Sequence, residues 1–253
     1  MTISVVIITK NEEEVIKRCL ESVAWADEVI VLDSGSTDNT VEICHMCGAN
    51  VTVTEDWPGF GKQKNRALSL VTGDWVLSLD ADEWVVPELA REIRAVTSAP
   101  NSLACYEIPR LSSYCGRYMR HSGWWPDYVV RLFRRDQAYF SDDIVHERVI
   151  VDGSRGRLRT ALLHESFRNL EEVLEKVNRY STAGACMLHA KGKRAGLGCA
   201  VARGVWTFLQ TYIFHAGFFD GREGFMLAVS RAEGAYYKYI KLMMQQRGKE
   251  GCR

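Results

Sequence analysis

The sequence predicts an α/β fold: a mainly parallel sheet flanked by helices, followed by a helical carboxyl-terminal extension. Three observations carry this. In the first hundred residues apolar β-branched runs alternate with helical patterns, the order that builds a parallel sheet sandwiched by helices. Polar residues collect where those runs end, the edge at which such sheets bind ligands. After about residue 168 the strand patterns stop and long helical periodicities take over.

Ile3–Thr9 is a β-branched run, as expected of a strand covered on both faces. A helix follows over Glu12–Val23, with Val15, Ile16, Cys19, Leu20 and Val23 on one stripe. Glu28–Asp33 is a second strand, and Ser34-Gly35-Ser36-Thr37-Asp38 is a turn that caps a helix over Asn39–Cys47. Val51–Thr54 is a short third strand. After the turn at Pro58-Gly59, Gln63–Val71 is helical, Asp74–Asp80 is a fourth strand, and Pro87–Val96 is a helix with proline in its first turn. Tyr128–Phe133 is a further strand. Helices are predicted over Leu170–Ala190, Leu197–Phe214 and Arg222–Gln246, the last two split by Gly217–Gly221. The expected organisation is a ligand-binding and catalytic domain over 1–168 and a helical region over 169–253.

At 253 residues the chain makes one domain with, at most, an appended subdomain. Hydrophobic residues at 47% and charged residues at 25% exclude a disordered chain. The zero net charge hides an asymmetry: residues 1–100 hold 17 acidic against 8 basic side chains, and residues 101–253 hold 15 against 24. The second part is therefore expected to meet something anionic, such as a diphosphate, a phosphorylated glycolipid or a membrane surface, unless the two parts neutralise each other. Nothing points to nucleic acid.

The amino terminus reads as a strand rather than a signal peptide, so a cytoplasmic location is expected. The 8 cysteines are scattered and read as reduced thiols. Cys44-His45-Met46-Cys47 lacks a second ligand pair at zinc-finger spacing. The glycine-rich phosphate loops of dinucleotide-binding and P-loop enzymes are absent.

The most informative motif is Asp80-Ala81-Asp82, at the end of Trp75-Val76-Leu77-Ser78-Leu79. Two carboxylates there are excluded from a core unless paired or metal-bound. Strand alternation would put both on one face, within reach of one ion. Mg²⁺ or Mn²⁺ takes one or two carboxylates and fills its other sites with water and phosphate oxygens. The site is thus expected to hold a metal-bound phosphate or diphosphate.

Together, Val5-Val6-Ile7-Ile8-Thr9-Lys10-Asn11-Glu12, Val31-Leu32-Asp33-Ser34-Gly35-Ser36-Thr37-Asp38 and Leu79-Asp80-Ala81-Asp82-Glu83 resemble the family 2 nucleotide-sugar glycosyltransferases, which have the GT-A fold and invert the anomeric centre. Arg131-Leu132-Phe133-Arg134 and Val145-His146-Glu147 resemble the branch that builds lipopolysaccharide core, in particular glucosyltransferases acting on inner-core heptose.

The resemblance implies a UDP-sugar donor and a glycolipid or lipopolysaccharide-core acceptor. It implies that Thr9, Asn11 and Glu12 line the nucleotide, and that Asp33 accepts from the uracil ring, with capping of the next turn as its alternative. Asn65 and Arg66 lie near the nucleotide, and Asp80 contacts ribose or metal-bound water. Asp82 ligates the metal, and His164 is a further ligand or diphosphate contact. Glu147 is the expected general base, with Asp143 in reserve. Trp124, Trp125 and Arg131 are candidates for acceptor binding, stacking on sugar and gripping phosphate, with core packing as the alternative for the tryptophans.

The aromatic stretch Gly204–Phe214 is too short to span a bilayer. With its basic flanks it reads either as an interfacial helix on an anionic membrane or as a contact with protein, including a second subunit. The rival functions are a sugar nucleotidyltransferase, which would need a glycine-rich basic loop after strand one, and a non-catalytic nucleotide-sugar-binding protein.

Overall fold

The computed structural model describes residues 1–141, 148–246 and 248. Its elements in chain order are β1 (Ile3–Thr9), α1 (Ile16–Ser22), β2 (Glu28–Asp33), α2 (Thr40–Met46), β3 (Asn50–Val53), α3 (Phe60–Ser69), β4 (Trp75–Asp80), β5 (Glu83–Trp84), α4 (Pro87–Ser98), β6 (Cys105–Tyr114), β7 (Arg117–Tyr118), β8 (Asp127–Arg134), β9 (Ala138–Phe140), β10 (Val149–Val151), β11 (Arg155–Arg157), β12 (Leu162–Phe167), α5 (Leu170–Ala190), α6 (Leu197–Leu209) and α7 (Gly221–Gln246). A π-helical turn, Gln210–Phe214, and a 3-10 turn, Gly217–Asp220, lie between α6 and α7. Contacts divide the chain into two units: Met1–Arg110 with Asp127–His164, and Leu111–Pro126 with Glu165–Arg253. The stretch Leu111–Pro126, which the sequence reading placed in the amino-terminal domain, thus packs with the helical part.

In the first unit β3-β2-β1-β4 are parallel neighbours, and β8 and then β6 extend the sheet antiparallel. Strand β1 is apolar at almost every position because both faces are covered. Val5 and Ile7 belong to a core with Ile16 and Leu20 of α1 and Leu89 and Ile93 of α4. Val6 and Ile8 belong to a second core with Ala67 of α3 and with Phe133 and Phe140. Each fully buried aliphatic side chain stabilises by roughly 1.5–3 kcal/mol, so burial on two faces, more than intrinsic propensity, fixes this strand. In the parallel register Thr9 lies opposite Asp33, and Ile8 lies opposite both Leu32 and Asp80. The polar carboxyl ends of β1, β2 and β4 therefore line one edge, as the sequence predicted.

Two local details differ from the sequence reading. Helix α1 starts at Ile16 rather than Glu12. Residues 12–15 form a turn tied to the loop after β2, with Glu12 N–H donating to Thr40 Oγ1 (2.8 Å) and Glu13 N–H to Asp38 Oδ2 (3.2 Å). Strand β4 ends at Asp80, and Ala81 and Asp82 form a turn into β5. The strand alternation assumed for 80 and 82 does not extend to Asp82.

In the second unit, Tyr114, Met119, Val173 and Leu227 form a small core. Asn169 caps α5 by accepting from Glu172 N–H (2.9 Å). Asp220, 2% exposed, accepts from the amides of Arg120 (3.1 Å) and His121 (3.0 Å) and from Ser122 Oγ (3.0 Å). Gly224 lets α7 approach the preceding turn: a Cβ there would lie 2.0 Å from the Gly217 carbonyl oxygen. Among the described residues no helix is long and apolar enough to cross a membrane. Cys19, Cys44, Cys47, Cys105, Cys115 and Cys199 are free, but Cys186 is disulfide-bonded, contrary to the expectation of uniformly reduced thiols.

Candidate active site

The turn after β4 is the centre of a charged network. Asp80 receives Lys64 Nζ of α3 on Oδ1 (3.0 Å) and the Arg131 guanidinium of β8 on Oδ2. The same Arg131 nitrogen donates to Glu83 Oε1 (2.6 Å), while Glu83 Oε2 accepts from the Asp80 amide (3.0 Å). Arg110 Nη1 of β6 stands 3.6 Å from Glu83. Glu83 and Arg131 are buried, with side chains 0% and 8% exposed, whereas 36% of the Asp80 side chain faces solvent. A buried carboxylate persists only when it is paired and hydrogen-bonded, and Glu83 has both kinds of partner. Desolvation works to raise the Asp80 carboxyl, but the charges of Arg131 and Lys64 prevail and hold it well below the ordinary carboxylate range. Burial opposes the charge on Arg131, yet Asp80 and Glu83 push its pKa above the usual arginine value. Beneath the turn, the Cys19 thiol (Sγ 3.7 Å from the Asp80 carbonyl oxygen) is raised well above a free thiol by burial and by the negative charges of Glu83, Asp82 and Asp80.

Asp82 faces another partner. His164 Nε2, at the start of β12, lies 3.3 Å from Asp82 Oδ2, because Leu163 and His164 pair with Trp84 and Glu83 of β5. Short strand β5 thus brings His164 to the carboxylate from 82 positions along the chain. Among the described residues no three His, Cys, Asp or Glu side chains form a ready-made metal cage.

At the neighbouring strand ends, Thr9 is buried, and its Oγ1 has no partner among the described residues. Asn11, at φ 56°, accepts from Thr37 N–H through Oδ1 (2.8 Å), and its own amide donates to Ser36 Oγ (2.8 Å). Asp33 is fully buried. It accepts from the amides of Gly35 (2.9 Å) and Ser36 (2.8 Å) and from Ser36 Oγ (2.5 Å). Its carboxylate caps the turn, and Gly35 at φ +77° supplies the left-handed conformation this turn needs.

Helix α3 serves the site unevenly. Asn65 pairs with the Phe140 backbone, accepting its N–H and donating to its carbonyl (both 2.8 Å), and so fixes the end of β9. Arg66 is exposed and clamps Asp56 with two nitrogens at 2.7 and 2.9 Å. Gln63, which the sequence reading did not single out, is fully buried and links Ser34 Oγ (2.9 Å) to Thr54 Oγ1 (2.6 Å).

A cavity of about 670 Å³ opens beside Asp80. Among its described lining residues five are cationic (Lys64, Arg110, Arg131, Arg148 and Arg155) and one, Asp80, is acidic. Of these cationic residues the sequence pointed to Arg131. Arg110, Arg148 and Arg155 come from β6, from the start of β10 and from β11, and no local motif links them. Arg131, expected as an acceptor contact, lines this cavity while paired with Asp80 and Glu83. Trp124 and Trp125 belong to the second unit. Trp124 stacks on Phe167 with centroids 6.0 Å apart and meets Tyr114 edge-on at 6.1 Å, so it fills an aromatic core. The expected general base Glu147 and its reserve Asp143 lie outside the described residues.

Comparison with known proteins places this geometry. The family model described as "Glycosyl transferase family 2" matches residues 4–162. An uncharacterised glycosyltransferase of Rickettsia typhi is 33% identical over 95% of this chain and 86% of its own length. The lipopolysaccharide core biosynthesis glycosyltransferase LpsC of Rhizobium meliloti is 29% identical over 95% of this chain and 90% of its own. Among solved structures, S. aureus TarS 1–349 in complex with UDP covers 98% of this chain and 92% of that one, with a TM-score of 0.51 at 18% identity, a likeness of fold. With the family's motifs at the ends of β1, β2 and β4 and a matching fold, the chain belongs to glycosyl transferase family 2 and has the GT-A architecture.

Proposed function

We propose that this glycosyltransferase moves a hexose, glucose from UDP-glucose, to a hydroxyl of lipopolysaccharide core or another lipid-linked glycan, with inversion at the anomeric carbon. The observation that carries the reading is the cationic cavity beside Asp80, two residues before Asp82 and its partner His164. Departure of a nucleoside diphosphate builds negative charge, and Lys64, Arg110, Arg148 and Arg155 lie where they would offset it. Lys64 and Arg131 also hold the Asp80 carboxylate ionised and oriented for a ribose hydroxyl or a metal-bound water. Thr9 Oγ1, buried without a partner among the described residues, is available to the nucleotide.

The donor set at Asp82 and His164 fits Mg²⁺ or Mn²⁺. Such ions take one or two protein ligands and complete their shell with phosphate and water, so a cage of three protein ligands is not needed. When bound there, the ion supplies charge stabilisation to the leaving diphosphate. The acceptor hydroxyl must lose a proton as it attacks, and Glu147 is the proposed base, with Asp143 in reserve. The choice of acceptor draws on the likeness to LpsC, and the choice of donor on the resemblance of the three strand-end motifs.

The test is transfer of radiolabelled glucose from UDP-glucose to lipopolysaccharide truncated at the inner-core heptose, with the new linkage read by proton coupling. Label in the lipid-linked product, carrying the anomer opposite to the donor's, is the expected result. Label that reaches only water, or a product with the donor's configuration, contradicts the reading.

A further inference from the structure

Helix α6 carries a large apolar face that the rest of the second unit, among the described residues, leaves uncovered. Its packing stripe is narrow and made of small residues: Ala200 and Gly204 are buried, and a Cβ on Gly204 would lie 3.3 Å from Tyr236 Cβ of α7. The opposite side is apolar and open. Leu197, Val201, Val205 and Leu209 follow one another at four-residue spacing, and Trp206 and Ile213 widen the stripe, all between 40% and 57% exposed. Phe214 and Phe219 continue it beyond the helix at 66% and 63% exposed, and the Trp206 and Phe214 rings lie 5.7 Å apart. Exposed apolar residues scattered singly need no explanation, but a continuous face of this kind marks an interaction site.

Charge selects the partner. Residues 176–219 contain six Lys or Arg and no Asp or Glu. Lys191, Lys193 and Arg194 precede α6 and are exposed, and Arg203, also exposed, interrupts it. A second copy of this chain would set that cationic rim against itself. An anionic lipid surface neutralises it while taking up the aliphatic and aromatic side chains, which is the composition of a helix lying in a membrane interface. At thirteen residues α6 is too short to span a bilayer, so it must lie along the surface.

We propose that α6 and the turn after it form a peripheral membrane-docking face, which inserts its Val205–Leu209–Ile213 side into a bilayer rich in anionic lipid. This goes beyond the proposed transfer reaction and does not depend on it, because binding is read without donor or acceptor.

The test is cosedimentation of the full chain with vesicles of phosphatidylglycerol and phosphatidylcholine in equal parts, and with phosphatidylcholine alone. The chain is expected to partition onto the anionic vesicles and to leave them as salt is raised. Val205→Asp with Leu209→Asp, both exposed and so tolerable to folding, should weaken partitioning by roughly tenfold or more. Changing Lys191, Lys193 and Arg194 to Gln, away from the apolar face, should weaken it on the order of a hundredfold. Vesicle binding at wild-type level in both variants overturns the proposal, as does absence of binding to anionic vesicles. A dimer in sedimentation velocity that Val205→Asp with Leu209→Asp converts to monomer, with vesicle binding unchanged, assigns the face to a second copy instead.

Discussion

Arg131→Met is the sharpest probe of the network beneath the site. One Arg131 nitrogen serves both Asp80 and Glu83, and the arginine side chain is 8% exposed. Removing the guanidinium leaves Glu83, at 0% exposure, with the Asp80 amide at 3.0 Å and Arg110 at 3.6 Å. Deleting one partner of a buried ion pair costs about 3–5 kcal/mol. Lys64 stays 3.0 Å from Asp80, and with Arg110 still near Glu83 the low end applies, about 3 kcal/mol. For a chain of this length each kcal/mol lowers Tm by roughly 2–4 °C, so the melt should fall by roughly 6–12 °C. The assay is thermal unfolding at neutral pH followed by far-UV circular dichroism. Adding Glu83→Gln should recover part of the loss, since replacing both partners costs less than stranding one. A single variant that melts within about 2 °C of the parent would refute the claim that Arg131 compensates buried carboxylates.

Three further outcomes follow from the same packing. The Asp80 carboxyl is depressed in the folded state, so its stabilising contribution is complete above its unfolded pKa of about 3.9 and disappears as pH falls through the lower folded value. The stability difference between the parent and Asp80→Asn, measured by urea unfolding, should therefore be constant above about pH 5 and shrink only below about pH 4; shrinkage near pH 6 contradicts it. Gly224→Ala drives a methyl to 2.0 Å from the Gly217 carbonyl and should cost about 1–3 kcal/mol or more; an unchanged urea midpoint would show that the turn yields freely. Cys47 and Cys199 are exposed, whereas Cys19 and Cys44 are buried and burial pushes the Cys44 thiol up to about 12. Iodoacetamide at neutral pH should label the first pair in the native protein and the second only after unfolding, as read by peptide mass; native labelling of Cys19 contradicts the packing beneath Asp80.

The parallel part of the fold was legible because its signals are local. A strand covered on both faces must be largely apolar, and the run Ile3–Thr9, polar only at Ser4 and Thr9, shows this without reference to any neighbour. The edge formed by Thr9, Asp33 and Asp80 follows from parallel register once the strands are assigned. The antiparallel part was largely illegible. Strands β5 and β11 are only two or three residues long, and their partners, antiparallel β12 and parallel β6, lie far away in sequence. For that reason the meeting of His164 with Asp82 surfaced only as a resemblance, and the grouping of Arg110, Arg148 and Arg155 not at all. The sequence offers Arg131 as a grip for a phosphorylated acceptor, and nothing local reveals that Glu83 is buried beside it. Asp33 shows the converse: Ser34-Gly35-Ser36 announces a turn, and the structure gives the carboxylate to that turn's amides.

The most direct test of the account is release of UDP from a panel of UDP-sugars, with GDP- and TDP-sugars as controls, each with Mn²⁺, Mg²⁺ or EDTA, for the parent and for Asp82→Ala. Asp82 takes no part in the Asp80–Glu83–Arg131 pairing, so its removal leaves that network in place. The account predicts release from UDP-glucose that EDTA abolishes and that Asp82→Ala lowers by about a hundredfold or more. Release that persists in EDTA, or binding of no UDP-sugar at all, would contradict it.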